Sequence, residues 1–282
     1  MTLGSDDLVL CAGTLASTPL RERAEVASAA GFTGLSLFLD DLEAARQTGL
    51  SDRDIRRLLD DNGLQIAELD PLMSWVEGGP DDRVTEEGRG FLRWKESDFY
   101  EAAKAVAARS INAVLFAPKP VPNDQLVESF ASLCDRANEH GLLVHIEFMP
   151  FSQVSNIEQA LAIVEAAGRE NGGILFDVWH YFRGQRSPEA LARAARRVTA
   201  IQLDDAPEEA EPNVFEETLH RRLLPGEGDA GVAELIRTLD AGGCSAPLGI
   251  EVFNDALAEL PAQEFAMRSA QTTRKVRDQA RA

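Results

Sequence analysis

The feature that most limits what this chain can fold into is a repeating alternation. Short apolar runs at 8–11, 34–39, 66–69, 113–117, 143–148, 174–177, 201–203 and 248–252 read as buried strands. Between and after them lie stretches with the spacing of amphipathic helices, at 19–30, 52–61, 97–108, 124–140, 156–167, 188–197, 230–241 and 261–280. Most of these close on Gly or Asn, as in Ala30-Gly31, Asn62-Gly63, His140-Gly141 and Ala241-Gly242-Gly243, the residues that end a helix before the chain turns back into a strand. Eight strands alternating with eight helices specify the α/β class and a (β/α)8 TIM barrel, with a doubly wound open sheet as the competing architecture. No Gly-x-Gly-x-x-Gly follows any strand, so a dinucleotide fold has no support. A length of 282 residues fits one barrel domain over 1–282.

Two connections exceed plain turns. The stretch 72–96 carries Trp75, Gly78-Gly79-Pro80, Gly88, Gly90 and Trp94. The stretch 206–229 carries an acidic run followed by Arg221-Arg222-Leu223-Leu224-Pro225-Gly226-Glu227-Gly228. Both follow strands and so lie on the C-terminal face, where barrel active sites are built. The first reads equally as a surface insertion or as a substrate lid with Trp75 as its anchor.

Charge narrows the partners. A formal net charge of −19, with no Lys/Arg cluster, repels phosphate backbones and anionic membranes and points to small-molecule partners. Cys11, Cys134 and Cys244 are far apart and show no Cys-x-x-Cys spacing, so they read as reduced core thiols. No run approaches the roughly 18 apolar residues of a membrane span and the N-terminus has no basic region, from which a cytoplasmic location is expected.

The chemistry gathers in the second half. Strand five contains Val144-His145-Ile146-Glu147-Phe148, an acid inside an apolar run, which persists only if paired, protonated or bound to a cation. Strand six ends at Asp177, followed by Val178-Trp179-His180; strand seven carries Gln202 and strand eight Glu251. Neighbouring strand ends in a barrel lie about 4.8 Å apart, so four inward side chains can converge near the axis. A water network would satisfy four polar groups, but three crowded carboxylates without a cation repel one another. Three carboxylates and an amide oxygen are hard donors, suited to Mn²⁺ or Mg²⁺, with Co²⁺ next. Such an ion polarises a carbonyl and favours removal of the neighbouring C–H proton.

These residues resemble the xylose-isomerase-like barrel superfamily, often called the sugar phosphate isomerase/epimerase family. The resemblance spans nearly the whole chain and is most specific from 143 to 253. Glu147 in His-Ile-Glu-Phe-Met-Pro, Asp177 with His180 in Asp-Val-Trp-His, Gln202, and Glu251 in Gly-Ile-Glu-Val match the family's four metal ligands and its site histidine. Arg222 in Arg-Leu-Leu-Pro-Gly-Glu-Gly matches the loop that brings a substrate-binding arginine over the metal. The resemblance implies a divalent-metal-dependent isomerase or epimerase acting on a sugar or polyol-derived ketone, with Glu147 and Glu251 exchanging a proton from opposite sides. One departure matters. The epimerases usually carry His where Gln202 stands, whereas bacterial 3-dehydroshikimate dehydratases of the superfamily look similar in using Gln. That gives a lyase as the alternative, in which one base suffices and His180 or a neighbour protonates a leaving hydroxyl. A non-catalytic accessory subunit is a second alternative.

The remaining polar residues take supporting readings. Arg222 reads as a substrate contact or as an ion-pair partner of the Glu-rich loop, His145 as an inner core histidine, Asp204 as support for the ligands, and Asp205 as a loop cap. Trp179 and Phe253 read as pocket walls. Too few histidines are present for a multi-zinc abasic-site nuclease on the same barrel. Relatives of this kind are commonly homo-oligomeric.

Overall fold

The computed structural model describes residues 3–77, 90–117 and 119–282. Its strands are β1 (Leu8–Leu10), β2 (Gly34–Phe38), β3 (Gln65–Leu72), β4 (Ser110–Ala113), β5 (Leu143–Glu147), β6 (Gly172–Asp177), β7 (Val198–Leu203) and β8 (Leu248–Ile250). They pair in sequence order and all in parallel, and β1 closes onto β8 through Leu8, Val9 and Leu10 opposite Leu248, Gly249 and Ile250. Strands buried on both faces explain the unbroken apolar runs, because the helices cover the outside of the barrel.

The described helices are α1 (Leu20–Ala30), α2 (Leu39–Gln47), α3 (Asp52–Asp61), α4 (Glu96–Val106), α5 (Asn123–Asn138), α6 (Ile157–Ala167), α7 (Val178–Arg183), α8 (Pro188–Ala194), α9 (Val214–His220), α10 (Val232–Ala241), α11 (Asp255–Ala258) and α12 (Ala262–Arg281). Four of them, α2, α7, α9 and α11, are short additions that the alternation does not predict, and all follow a strand. Local chemistry starts and stops the predicted ones. Ser51 accepts from the amide of Asp54 at the start of α3 while the Asp54 carboxylate accepts from the amide of Ser51, a reciprocal cap. Gly31 and Gly168 end α1 and α6 with positive φ, which releases the chain into the next strand.

β4 lies several residues before its expected position, overlapping 113–117 only at Ala113. Ser110 and Asn112 look like turn residues in the sequence, yet both face polar partners: Ser110 Oγ donates to Ala67 O at 2.7 Å, and Asn112 reaches two carboxylates. The apolar run 113–117 is the exit from that strand. Trp75, from the start of the 72–96 connection, packs edge-on against Phe130 of α5 and donates its indole N–H to Val114 O at 2.8 Å. The far end of the same connection is tied to α2, where Trp94 donates to Asp40 at 2.9 Å and Arg93 pairs with Asp40 and Glu43. Gly78, Gly79, Pro80 and Gly88, on which a lid reading depends, lie outside the described residues.

Candidate metal and active site

Register brings the acidic strand ends together. Asp177 of β6 is the pairing neighbour of Gln202 on β7, and Gln202 that of Gly249 on β8, two residues before Glu251. Glu147 closes β5 on the other side of Asp177. All four are buried. Carboxylate oxygens of Glu147 and Asp177 and a ring nitrogen of His180 lie within 4.8 Å of one another, a grouping able to hold a metal ion.

Each residue is fixed by identifiable contacts. Asp177 caps α7, its Oδ1 accepting from the amide of His180 at 2.7 Å, so the carboxylate itself sets the helix that carries the histidine. His180 places Nε2 3.3 Å from Glu147 Oε1 and stands edge-on to Phe151 and Trp179. Arg222 is buried rather than poised at the surface. Its Nη1 donates to Asp177 Oδ2 and Asp204 Oδ2, both at 2.7 Å, and lies 3.7 Å from Glu251 Oε2, while Nε and Nη2 donate to Thr218. Trp179 and Phe253 flank its guanidinium at 5.7 and 5.2 Å. Burial pulls the guanidinium pKa down, but Asp177, Asp204 and Glu251 outweigh it and hold it above the usual value.

The loop delivering Arg222 hangs on Asp205. Its Oδ1 accepts from the amides of Ala206 and Ala230 and its Oδ2 from that of Gly226, each at 2.9 Å, while its backbone bridges Leu223. Asp205 is thus the loop cap, and Asp204 faces Arg222.

Two strands outside the expected set also contribute. Asp70 on β3 and Glu147 each accept one N–H from the Asn112 side chain, at 2.8 and 2.7 Å. Five buried carboxylates thus gather at this mouth, Asp177, Asp204 and Glu251 around Arg222 and Asp70 and Glu147 around Asn112. Burial raises Asp70 to about 8, Glu147 adding to the effect and Asn112 opposing it. Burial also raises Asp204, with Asp177 adding to it and Arg222 opposing, and Glu251, where Arg222 opposes and Asp70, Glu147 and Asp177 add to the rise. The sequence signal existed: Glu68-Leu69-Asp70 repeats the acid-in-strand alternation of His145-Ile146-Glu147. Glu68 faces His145 at 3.3 Å deeper in the barrel, where burial raises the acid and lowers the histidine; His145 Nδ1 meets Thr199 Oγ1 at 2.6 Å. That pairing makes His145 an inner-layer residue.

The residues fit a divalent cation. Among the described residues both amide atoms of Gln202 and Oε1 of Glu251 are buried without a partner, a costly arrangement for groups that nothing satisfies. Gln202 Oε1 and Glu251 Oε1 are hard oxygen donors beside an excess of negative charge. Trp75 is not brought into this cluster; its described partners are Val114 and Phe130.

A closed parallel barrel with its carboxylates gathered toward the C-terminal ends of β3 and β5 to β8 defines a class, that of TIM barrels with a metal-capable mouth. The chain belongs to the xylose isomerase-like TIM barrel family, whose model matches residues 24–276. A 3-dehydroshikimate dehydratase from Pseudomonas aeruginosa is 30% identical over 262 residues, covering 89% of this chain but 39% of that protein. An inosose isomerase from Bacillus velezensis is 30% identical over 152 residues, 53% of each chain. Among solved structures, a xylose isomerase-like TIM barrel/4-hydroxyphenylpyruvate dioxygenase fusion protein superposes with a TM-score of 0.84 at 24% identity, covering 98% of this chain and 43% of that one. The chain thus spans about two fifths of the dehydratase it matches. Among the described residues no helix is long and apolar enough to cross a membrane.

Proposed function

We propose that the chain is a divalent-cation-dependent enzyme of small polyhydroxylated ketones, and that it dehydrates a cyclic keto acid of the 3-dehydroshikimate type. The observation that carries the reading is the placement of Glu147 Oε1 3.3 Å from His180 Nε2, beside the unpartnered oxygens of Gln202 and Glu251. One base next to one group able to carry a proton suits an elimination. The dehydratase relative matches most of this chain, which favours the lyase over the isomerase expected first.

Glu147, Asp177, Gln202 and Glu251 would hold the cation, with His180 adjoining. When bound, it supplies Lewis-acid polarisation of the substrate carbonyl. Glu147 takes the proton from the carbon beside the ketone. The C–H pair becomes the new double bond, the hydroxyl on the next carbon leaves, and His180 delivers the proton that makes it water. Arg222 holds Asp177 in place, and because among the described residues Nη2 bonds only Thr218, one of its N–H groups remains for a substrate oxygen. Trp75 enters this reading as the anchor of the first residues of the 72–96 connection. Mn²⁺ or Mg²⁺ is the cation proposed from the donors.

A second reading, epimerisation or isomerisation of an inosose-like ketone, is favoured by the unpartnered Glu251 Oε1, a second base candidate, and by the inosose isomerase relative. Incubation with 3-dehydroshikimate and Mn²⁺, followed by absorbance, decides between them. Growth of an aromatic product is expected. Solvent deuterium exchange into an inosose without loss of water, and no aromatic product, would replace the lyase by the isomerase.

A further inference from the structure

We infer that Asn112 is a positioning residue of this site: its side-chain amide selects which oxygen of Glu147 is presented to His180 and the cation, and Asp70 acts on the site by holding that amide. The inference rests on the reading of Glu147 as base and cation ligand.

The geometry leaves the amide one orientation. The Nδ2 group has two N–H bonds, and one goes to Asp70 Oδ1 at 2.8 Å, the other to Glu147 Oε2 at 2.7 Å. As the base, Glu147 is a carboxylate that only accepts, so a flipped amide would aim its carbonyl oxygen at Glu147 Oε2, an acceptor, whether or not Asp70 carries a proton. Asn112 is fully buried, and its backbone sits opposite His145 in the β4–β5 ladder, so the side chain has no path out. The last torsion of a glutamate is broad and nearly two-fold, and by itself does not decide which oxygen points where. Capping Oε2 decides it: Oε1 is the oxygen left at 3.3 Å from His180 Nε2. Asp70, buried and ahead of Pro71, touches Glu147 through this amide. Asn112 Oδ1 is itself buried with no partner among the described residues, which hold the amide through its nitrogen.

The experiment measures Mn²⁺ affinity of the chelator-treated full chain, without substrate, by the loss of the free-ion electron paramagnetic resonance signal. The proteins compared are the native chain, Asn112→Leu, Asn112→Ser, Asp70→Asn, Asp70→Ala and the double variant Asn112→Leu/Asp70→Ala, each checked for its fold by circular dichroism. Both Asn112 variants are expected to bind Mn²⁺ about 10- to 100-fold more weakly, the loss seen when a group orienting a metal ligand is removed. Asp70→Asn keeps an oxygen that accepts from Asn112 and is expected to bind as the native chain does, whereas Asp70→Ala weakens binding. In the Asn112→Leu background Asp70→Ala should add nothing. Should Asn112→Leu not fold, Asn112→Ser and the Asp70 pair carry the comparison. Native-like affinity in the folded Asn112 variants, or an Asp70→Ala loss undiminished in the double variant, overturns the inference while the cation site stands. Absence of Mn²⁺ binding by the native chain removes the cation site and this inference together.

Discussion

Arg222 Nη1 stands 2.7 Å from Asp177 Oδ2, with 3% of the first side chain and none of the second exposed. The same nitrogen reaches Asp204 Oδ2, so one buried cation compensates two acids from adjacent strands and fixes the carboxylate that caps α7. Its charge serves the fold before it serves any substrate.

Arg222→Met should therefore destabilise the chelator-treated chain by about 3–5 kcal/mol, because it leaves buried carboxylates uncompensated. Urea unfolding measures it. Arg222→Lys is expected to recover only part, since a single ammonium cannot serve Thr218, Asp177 and Asp204 from one point. A loss below about 1 kcal/mol would mean that the acids are neutral without it.

Gln202 carries the opposite signature, two buried amide atoms with no partner among the described residues. Gln202→Leu should raise the stability of the cation-free chain by about 1–3 kcal/mol, the penalty of an unsatisfied buried polar group. The same change should abolish the rise in melting temperature that Mn²⁺ gives the native chain. Lower stability of the variant without metal would show that the amide is already satisfied.

Asp70 sets a pH dependence with a definite sign. Its folded pKa, about 8, lies above the ordinary 3.8, so the folded state binds its proton more tightly than the unfolded state does. That contribution is complete below about pH 4 and is lost as the pH rises toward 8. Asp70→Asn, which cannot ionise, should gain stability relative to the native chain across that window when both are measured with chelator. A difference that stays flat from pH 4 to 8 would contradict the raised value.

Gly228 lets the Arg222 loop lie against β7. A Cβ there would meet Ala206 O at 2.4 Å and Asp205 Oδ1 at 2.6 Å, neither of which is the free end of a flexible side chain. Gly228→Ala is expected to cost about 1–3 kcal/mol through overpacking and to reduce turnover in a chain that still folds. Thermal melting and initial rates, read side by side, test this; unchanged turnover would uncouple the loop from the site.

Much of this was legible because barrel geometry is local. Glu147, Asp177, Gln202 and Glu251 stand at strand ends, and a closed parallel sheet leaves strand ends nowhere to go but together. Asn112 was not legible, since a polar residue before an apolar run reads as a turn until Asp70 and Glu147 are seen on either side of it. Asp70 lay one residue past the expected end of β3, where Pro71 imitates a strand terminus. The burial of Arg222 depends on Thr218 from α9 and on acids from β6, β7 and β8, a convergence of distant segments that no local pattern records. The short helices after strands escaped for a related reason: each is too brief to show a helical period, and α7 is started by Asp177, a residue already claimed by the site.

The most direct test is the metal content of the chain purified without chelator, beside Glu251→Gln prepared identically. About one equivalent of Mn, Mg or Co in the native chain, lost in the variant, is the predicted result. A native chain that holds no divalent metal even after incubation with Mn²⁺ would contradict the cation site, and with it the proposed chemistry.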